Sequence, residues 1–122
     1  MRVVVVEDDV QLQSVLAIIL RRIGAQIIAQ PHDGQEALDL LRRVHPDLIL
    51  PDCQMPRLDG IALVKRLRER GDYTPVIMFS GQSDPAVRQL ALDAGVNRYL
   101  SKPLSAAVLT QAIAQTLRQT AA

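Results

Sequence analysis

Apolar residues follow two alternating patterns along the chain. Short continuous runs, such as the β-branched Val3–Val6, are typical of strands that are buried on both faces. Between the runs lie longer stretches in which apolar residues recur every three or four positions, as in amphipathic helices. The alternation predicts an α/β protein with strands and helices in the order (βα)5, which favours a parallel sheet sandwiched between helices.

Turn and capping residues set the boundaries of these elements. Each strand stops at a charged, polar or turn residue, and the predicted strands cover residues 3–6, 25–30, 47–50, 75–79 and 97–101. The helices begin at capping residues and end near glycine or proline. They are predicted to run from Val10 to Ile23, Asp33 to Val44, Asp59 to Arg70, Asp84 to Ala94 and Ser105 to Leu117.

Helical spacing also predicts which faces are buried. The apolar residues with this spacing in the first and last helices are Val10, Leu12, Val15, Leu16, Ile18, Ile19, Ile23, Val108, Leu109, Ala112, Ile113 and Leu117. The basic residues of the third helix are predicted to form a solvated face, comprising Lys65, Arg66, Arg68 and Arg70. Asp33 and Glu36 are spaced as a capping box for the second helix.

Composition narrows the class of protein. The chain has 122 residues, which suits one domain over residues 1–122, and 48% of them are apolar. Its aromatic residues are Tyr73, Phe79 and Tyr99, so the core must be aliphatic and no stacking platform for single-stranded nucleic acid is available. The formal net charge of +1 argues against direct binding to nucleic acid or to anionic membranes.

Cysteine content and hydropathy favour a cytoplasmic protein. Cys53 is the only cysteine, which rules out an internal disulfide and a thiolate metal cluster and leaves Cys53 as a packing residue. The first apolar run is followed at once by Glu7, Asp8 and Asp9, unlike a signal peptide. Met1 lies two residues before that run, which favours a natural N-terminus.

Reactive side chains are predicted to meet at one edge of the sheet. Asp52 follows the third strand, and by itself it could simply cap the next segment. Parallel strands, however, present their carboxyl ends at a common edge where ligands bind. The residues at those ends are Glu7, Asp8, Asp52, Ser80 and Lys102. Carboxylates so close together need a cation, and an all-oxygen ligand set favours Mg²⁺ before Ca²⁺. A carboxylate nucleophile with a metal, a lysine and a hydroxyl suits phosphoryl transfer onto Asp52.

Five motifs together resemble the response-regulator receiver domain of two-component signalling, and in particular a chemotaxis-regulator-like single receiver. They are Glu7-Asp8-Asp9 after the first strand, Pro46-Asp47 through Asp52, Met55-Pro56 through Asp59-Gly60, Met78-Phe79-Ser80-Gly81, and Tyr99 through Lys102-Pro103. The resemblance covers essentially the whole chain. It implies the flavodoxin-like fold, with a five-stranded parallel sheet in the order 2-1-3-4-5.

The resemblance implies a role for each acidic position. Asp52 would accept a phosphoryl group from a histidine kinase or a histidine phosphotransfer protein, as in a phosphorelay. Asp8 and Asp52 would ligate Mg²⁺ directly, the backbone carbonyl of Gln54 would add a ligand, and Glu7 would act through a metal-bound water. Mn²⁺ and Ca²⁺ are alternatives. The protein would phosphorylate and dephosphorylate itself without being a turnover enzyme.

The resemblance also implies a switch. Lys102 would pair with the aspartate or the phosphoryl oxygens, and Ser80 would move to hydrogen-bond the phosphoryl group. Tyr99 would change its burial, and Pro103 would follow a cis peptide bond. An output partner would bind the face formed by the fourth helix, fifth strand and fifth helix. The expected state is a monomer or a weak phosphorylation-dependent dimer.

The chain departs from the family pattern at Pro51. A proline directly before the acceptor removes a ladder hydrogen bond, so the strand either ends at Leu50 or is distorted, and the aim of Asp52 is affected. Gln54 and Gln82 occupy positions that in the family tune access of water to the phosphoryl group.

Several alternatives stay open at this point. A degenerate receiver would bind partners without phosphorylation. An aspartate-nucleophile phosphatase would want a second acid where this chain has Gln54, and a flavin-binding protein would want a phosphate loop after the first strand. Among single residues, Asp9 could be only a helix cap and Ser80 only a turn residue. His32 and His45 are predicted to be solvated loop residues away from the reactive edge.

Overall fold

The computed structural model describes residues 1–81 and 84–120, which leaves Gln82 outside the described residues. Strands and helices alternate as the sequence predicts. The strands are β1 (Arg2–Val6), β2 (Gln26–Ala29), β3 (Leu48–Pro51), β4 (Ile77–Ser80) and β5 (Arg98–Ser101). The helices are α1 (Val10–Arg22), α2 (Gly34–Leu40), α3 (Gly60–Glu69), α4 (Pro85–Ala94) and α5 (Ala106–Thr120). None of the described helices is long and apolar enough to cross a membrane.

The strands are parallel and bury aliphatic side chains on both faces. Val3 and Val5 point to the layer of α1 and α5, whereas Val4 and Val6 point to the layer of α2, α3 and α4. This separation follows from the two-residue period of a strand. Residues Val3–Val6 are fully buried, as the β-branched run predicts.

The sheet consists of two hydrogen-bonded parts, in the orders β2-β1-β3 and β4-β5. They meet at two isolated bridges, Ile49 with Val76 and Asp52 with Phe79. The expected five-stranded ladder is therefore interrupted between β3 and β4.

Pro51 accounts for the interruption. The amides of Ile49 and Cys53 donate to carbonyls on the β4 side, at Pro75 and Phe79. By the two-residue period, Pro51 would donate to Ile77, but proline has no N–H. On the other side β3 stays paired with β1 through Pro51, and the amide of Asp52 donates to Val6. The strand therefore does not end at Leu50, and the missing bond lies on one side only.

Three local predictions need correction. The α-helical part of α2 ends at Leu40 and not at Val44, because the following amides of Arg42 and Arg43 bond three residues back and tighten the last turn. Arg68 is half-buried and does not belong to a solvated face, since its guanidinium group donates to several oxygens at the ends of α3 and α4.

The third correction concerns apolar residues. Those that helical spacing placed toward the core but that are exposed are Val10, Val15, Ile18 and Val108. In α1 the apolar positions are too numerous for one face, so part of them must point to solvent.

Candidate active site

The carboxyl ends of β1, β3 and β5 bring Glu7, Asp52 and Lys102 together. The amide of Asp52 donates to the carbonyl of Val6 (3.0 Å), which holds the end of β3 beside the end of β1. The amide of Lys102 donates to the carbonyl of Ser80 (2.8 Å), which holds the end of β5 beside β4. Backbone bonds therefore position these side chains before any contact between the side chains is made.

Hydrogen bonds hold both oxygens of the Asp52 carboxylate. The Lys102 ammonium group lies 2.6 Å from Asp52 Oδ2, and the amide of Gln54 donates to Oδ1 at 3.0 Å. Asp52 is only 4% exposed. Burial works to lower the pKa of Lys102, but its hydrogen bond to Asp52 and the nearby carboxylates outweigh burial and raise it. Lys102 therefore stays a cation beside a carboxylate of defined orientation, and Pro51 does not detach Asp52 from the site.

Glu7, Asp8 and Asp52 form a carboxylate cluster in which one oxygen of each lies within 4.8 Å of the others. Glu7 is 1% exposed, and its Oε1 accepts a hydrogen bond from the amide of Asp9 (3.1 Å). Its Oε2 is buried, and no residue in the described part of the chain donates to it. Burial, together with the hydrogen bond and the charge of Asp52, raises the pKa of Glu7 to about 8.

The residues present fit a hard divalent cation. A buried carboxylate oxygen without a donor is costly, and a cation among three carboxylates removes both that cost and their mutual repulsion. All the candidate ligand atoms are oxygens, which suits Mg²⁺ or Ca²⁺ and disfavours softer metals. Burial and the neighbouring Asp52 carboxylate raise the pKa of Glu7, because both favour the protonated form. A bound cation would neutralise the same negative charge.

Ser80 lies beside Tyr99, and a switch role for the two residues stays a prediction. Ser80 is fully buried at the end of β4, and Tyr99 is 7% exposed in β5. Burial raises the pKa of Tyr99, and a hydrogen bond with Ser80 opposes that rise. Burial also raises the pKa of the Cys53 thiol, which hydrogen-bonds with Ser80 and Tyr99. Cys53 is thus a third member of this group, which its position next to Asp52 alone did not reveal.

The remaining predicted residues occupy clear positions. Gln54 is exposed and contributes its amide to Asp52, while the ligand role of its carbonyl stays a prediction. Asp9 caps α1 by accepting from Gln11 and Leu12. The peptide bond from Lys102 to Pro103 is cis, as expected.

His32 is exposed, as predicted, but its predicted position away from the reactive edge was wrong. His32 follows β2 and therefore lies at the carboxyl edge, where its Nδ1 is 3.3 Å from Nε2 of Gln13. Three residues have contacts near the site that were not predicted from the sequence, namely Gln13, Arg57 and Asp33, of which Asp33 was predicted only as a helix cap. Their partners are distant in sequence, so only the capping signal of Asp33 was detectable.

Comparison with known proteins gives a consistent family. The family model described as the response regulator receiver domain matches residues 3–114. Response regulator MprA of Mycobacterium avium is 36% identical over 98% of this chain and 52% of its own length. Transcriptional regulatory protein CseB of Streptomyces coelicolor is 38% identical over 96% of this chain and 49% of its own length. The chain thus spans about half the length of the curated relatives that it matches.

Solved structures agree with the family model. A Francisella response regulator receiver domain superposes with a TM-score of 0.90 at 32% identity, covering 98% of each chain. The receiver domain of the Pseudomonas aeruginosa sensor kinase PA1611 superposes with a TM-score of 0.86 at 30% identity, covering 95% of this chain and 96% of that one. That structure has a magnesium ion coordinated in its active site cleft.

Proposed function

The chain belongs to the response regulator receiver family of two-component signalling, and from that premise we propose that Asp52 accepts a phosphoryl group from a histidine kinase or a histidine phosphotransfer protein. The observation that carries the proposal is the buried Asp52 carboxylate, bonded to the Lys102 ammonium group and clustered with Glu7 and Asp8. A positioned carboxylate is a suitable nucleophile, and a fixed cation beside it offsets the charge of an approaching phosphoryl group.

Mg²⁺ is the ion that we propose for the carboxylate cluster. Asp8 and Asp52 would hold it directly, the carbonyl of Gln54 would add a ligand, and Glu7 would hold a bound water. When bound, the ion supplies positive charge that draws the carboxylate and the phosphoryl oxygens together. Mn²⁺ and Ca²⁺ are expected to substitute because they also take oxygen ligands.

Phosphoryl transfer requires few groups of this protein. The P–N bond of the donor phosphohistidine breaks, and a P–O bond forms to a carboxylate oxygen of Asp52. The donor imidazole keeps the electron pair and takes a proton from solvent. Lys102 stays charged and is released from its contact with the free carboxylate to pair with phosphoryl oxygens.

An apolar groove on this protein lies beside Asp52, and we propose it as the binding site for the donor protein. A cavity of about 490 Å³ is lined by Asp9, Leu12, Val15, Lys102, Pro103 and Leu104. Val15 is 47% exposed, and the groove reaches the residue that contacts Asp52. We assign the groove to a phosphohistidine-bearing helix, whose apolar face would cover these side chains while its histidine faces Asp52.

Phosphorylation of Asp52 would affect an output surface through Ser80 and Tyr99. The new charge attracts the Ser80 hydroxyl, which weakens its contacts with Tyr99 and Cys53. Tyr99 lies in β5, and large apolar residues exposed on the flanking helices include Leu90, Leu92 and Val108. This α4–β5–α5 face is the proposed binding surface for the output partner.

The proposal is tested with a small acyl-phosphate donor, acetyl phosphate, and Mg²⁺. Intact mass spectrometry is expected to show one added phosphoryl group that hydroxylamine removes, and no addition on Asp52→Asn. An unmodified parent protein that still binds Mg²⁺ would favour a receiver that acts without phosphorylation. Continuous hydrolysis of external phosphoesters would favour a phosphatase.

A further inference from the structure

We propose that the ion pair between Asp33 and Arg57 is a positioning clamp for the loop that presents the Gln54 backbone to the metal and phosphoryl site. The proposal rests on the proposed function, since Gln54 is the loop residue expected to contribute a carbonyl ligand. Asp33 and Arg57 lie outside the carboxylate cluster of Glu7, Asp8 and Asp52, so they would act through the loop and not on the phosphoryl group.

The loop between β3 and α3 contains one strained residue. Arg57 has φ of +66°, the only positive value for a non-glycine residue in the described ranges 1–81 and 84–120. This left-handed conformation costs a residue with a side chain free energy, so it persists only where its surroundings enforce it. Within the loop, the amide of Leu58 bonds to the carbonyl of Pro56 (2.8 Å), which closes a γ-turn centred on Arg57, a rare and strained turn whose central residue has a positive φ.

The Arg57 side chain adds a restraint from outside the loop. Its Nε and Nη2 lie 2.9 Å and 2.6 Å from Oδ2 of Asp33. The other oxygen, Oδ1, accepts from the amide of Glu36 at 2.8 Å and so caps α2. Asp33 is 8% exposed, and the cap fixes its orientation. A single carboxylate therefore joins the start of α2 to a loop 24 residues further along the chain.

Two glycines show how closely the loop is enclosed. A Cβ atom on Gly34 would lie 2.0 Å from the carbonyl oxygen of Leu58, and one on Gly60 would lie 2.3 Å from that of Asp52. The loop backbone is thus in contact with the first residue of α2 at Leu58 and with the first residue of α3 at Asp52. A shift of α2 would be transmitted to the residues that follow Asp52.

The same segment also contacts the end of β1. The carbonyl of Pro31 accepts from the amide of Glu7 at 3.2 Å. Gln13 donates to the carbonyl of Glu7 and contacts His32. Residues 31–34 therefore touch both chain segments that carry proposed metal ligands, although none of their own side chains belongs to the carboxylate cluster. This placement is what a positioning element requires.

Arg57→Gly separates positioning from stability. Glycine adopts positive φ without strain, so the variant should keep or raise the melting temperature while it loses the clamp. Mg²⁺ affinity of the folded protein, measured by calorimetry, is expected to fall about three- to tenfold, which is less than the roughly 10–100-fold typical of groups bonded directly to a metal ligand, because the clamp acts through the loop. Amide hydrogen exchange at Gln54 in the metal-free protein should become faster.

Asp33→Asn is the second variant that tests the clamp. An asparagine oxygen can still cap α2, but the charge toward Arg57 is lost, and Asp39→Asn on the exposed face of the same helix is the matched control. If the clamp acts as one unit, the double variant of positions 33 and 57 should weaken Mg²⁺ binding no more than the stronger single variant.

Two results would overturn the clamp: unchanged Gln54 exchange in Arg57→Gly, or Mg²⁺ affinity that changes only in proportion to lost stability. A parent protein that binds no Mg²⁺ would instead contradict the proposed function. In that case the Gln54 exchange rate, which needs no metal, still decides whether Arg57 holds the loop.

Discussion

Buried ionisable groups at the two edges of the sheet differ in how completely they are hydrogen-bonded. At the amino edge, the half-buried Arg68 guanidinium group donates to the carbonyls of Asp72, Thr74 and Gly95 and to Oδ1 of Asn97. At the carboxyl edge, Glu7 is almost fully buried, yet one of its oxygens has no donor among the described residues. A buried ionisable group whose hydrogen bonds are complete stabilises the packing of the elements that it joins. One with an unsatisfied atom costs free energy, and a bound ligand can remove that cost.

The difference also appears in what each charge joins. Arg68 connects the end of α3 with the turn at Asp72–Thr74 and with the end of α4, all of which belong to the framework. Glu7, by contrast, interacts with Asp52, which raises its pKa, and with Lys102, which lowers it. Both of these residues belong to the site. We therefore expect substitutions at the amino edge to change stability and those at the carboxyl edge to change ligand binding.

Arg68→Ala should give the largest loss of stability. It leaves several backbone carbonyls without donors, which should lower the free energy of unfolding by about 2–4 kcal/mol in chemical denaturation. Arg66→Ala is the control, because Arg66 is exposed on the same helix and should change stability by no more than about 0.5 kcal/mol. Equal losses for the two variants would remove the contrast between the edges.

Glu7→Gln should have the opposite sign in the metal-free protein. An amide at this position can donate toward Asp52 and removes the repulsion between an ionised Glu7 and Asp52, so stability in chelator above a pH of about 8 should rise by about 0.5–2 kcal/mol. Mg²⁺ binding should weaken about ten- to hundredfold, as for other groups that support a metal indirectly. A variant that is less stable in chelator would show that the Glu7 carboxylate is not under electrostatic stress.

The pH dependence of stability should reflect the raised pKa of Glu7. The folded pKa of Glu7 is about 8 and its ordinary value is 4.5, so between these values the folded protein binds a proton that the unfolded chain has released. Stability in chelator should therefore fall as pH rises from about 4.5 to about 8. Denaturation curves across this range should lose that slope in Glu7→Gln and in saturating Mg²⁺. A slope that persists in the variant would assign the titration to another group.

Pro51→Val should have the smallest effect on stability. A new amide at position 51 can bond to Ile77 and gain about 0.5–1.5 kcal/mol. Loss of the proline ring frees the unfolded chain and offsets about 0.4–1 kcal/mol of that gain. Hydrogen exchange should nevertheless show the amide at position 51 strongly protected, as in a continuous ladder. Rapid exchange at this amide would mean that β3 and β4 are kept apart by something other than Pro51.

The sequence predicted the placement of Glu7, Asp52 and Lys102 because that placement depends only on the order and direction of the strands. Once the strands are parallel, each residue after a strand must lie at the common edge, whatever its side-chain contacts. Caps such as Asp84 were predictable for a similar reason, since the side chain bonds to an amide only two residues away.

Other features depend on tertiary contacts and escaped prediction. Arg68 resembles its exposed neighbours in sequence, and only the positions of Gly95 and Asn97 reveal its role. Likewise, Pro51 was a visible irregularity, but the affected side of β3 depends on the register with β4. The contact between Asp33 and Arg57 joins segments whose distance in space cannot be inferred from their spacing.

The most direct test of the account locates the phosphoryl group on the chain. After reaction with acetyl phosphate and Mg²⁺, borohydride reduction of the acyl phosphate and cleavage at arginine yield a peptide of residues 44–57, which contains two aspartates, Asp47 and Asp52. Tandem mass spectrometry is expected to show the reduced residue at position 52, with Asp47→Asn unaffected. A modification at Asp47 or Asp8, or no modification in protein that binds Mg²⁺, would contradict Asp52 as the acceptor.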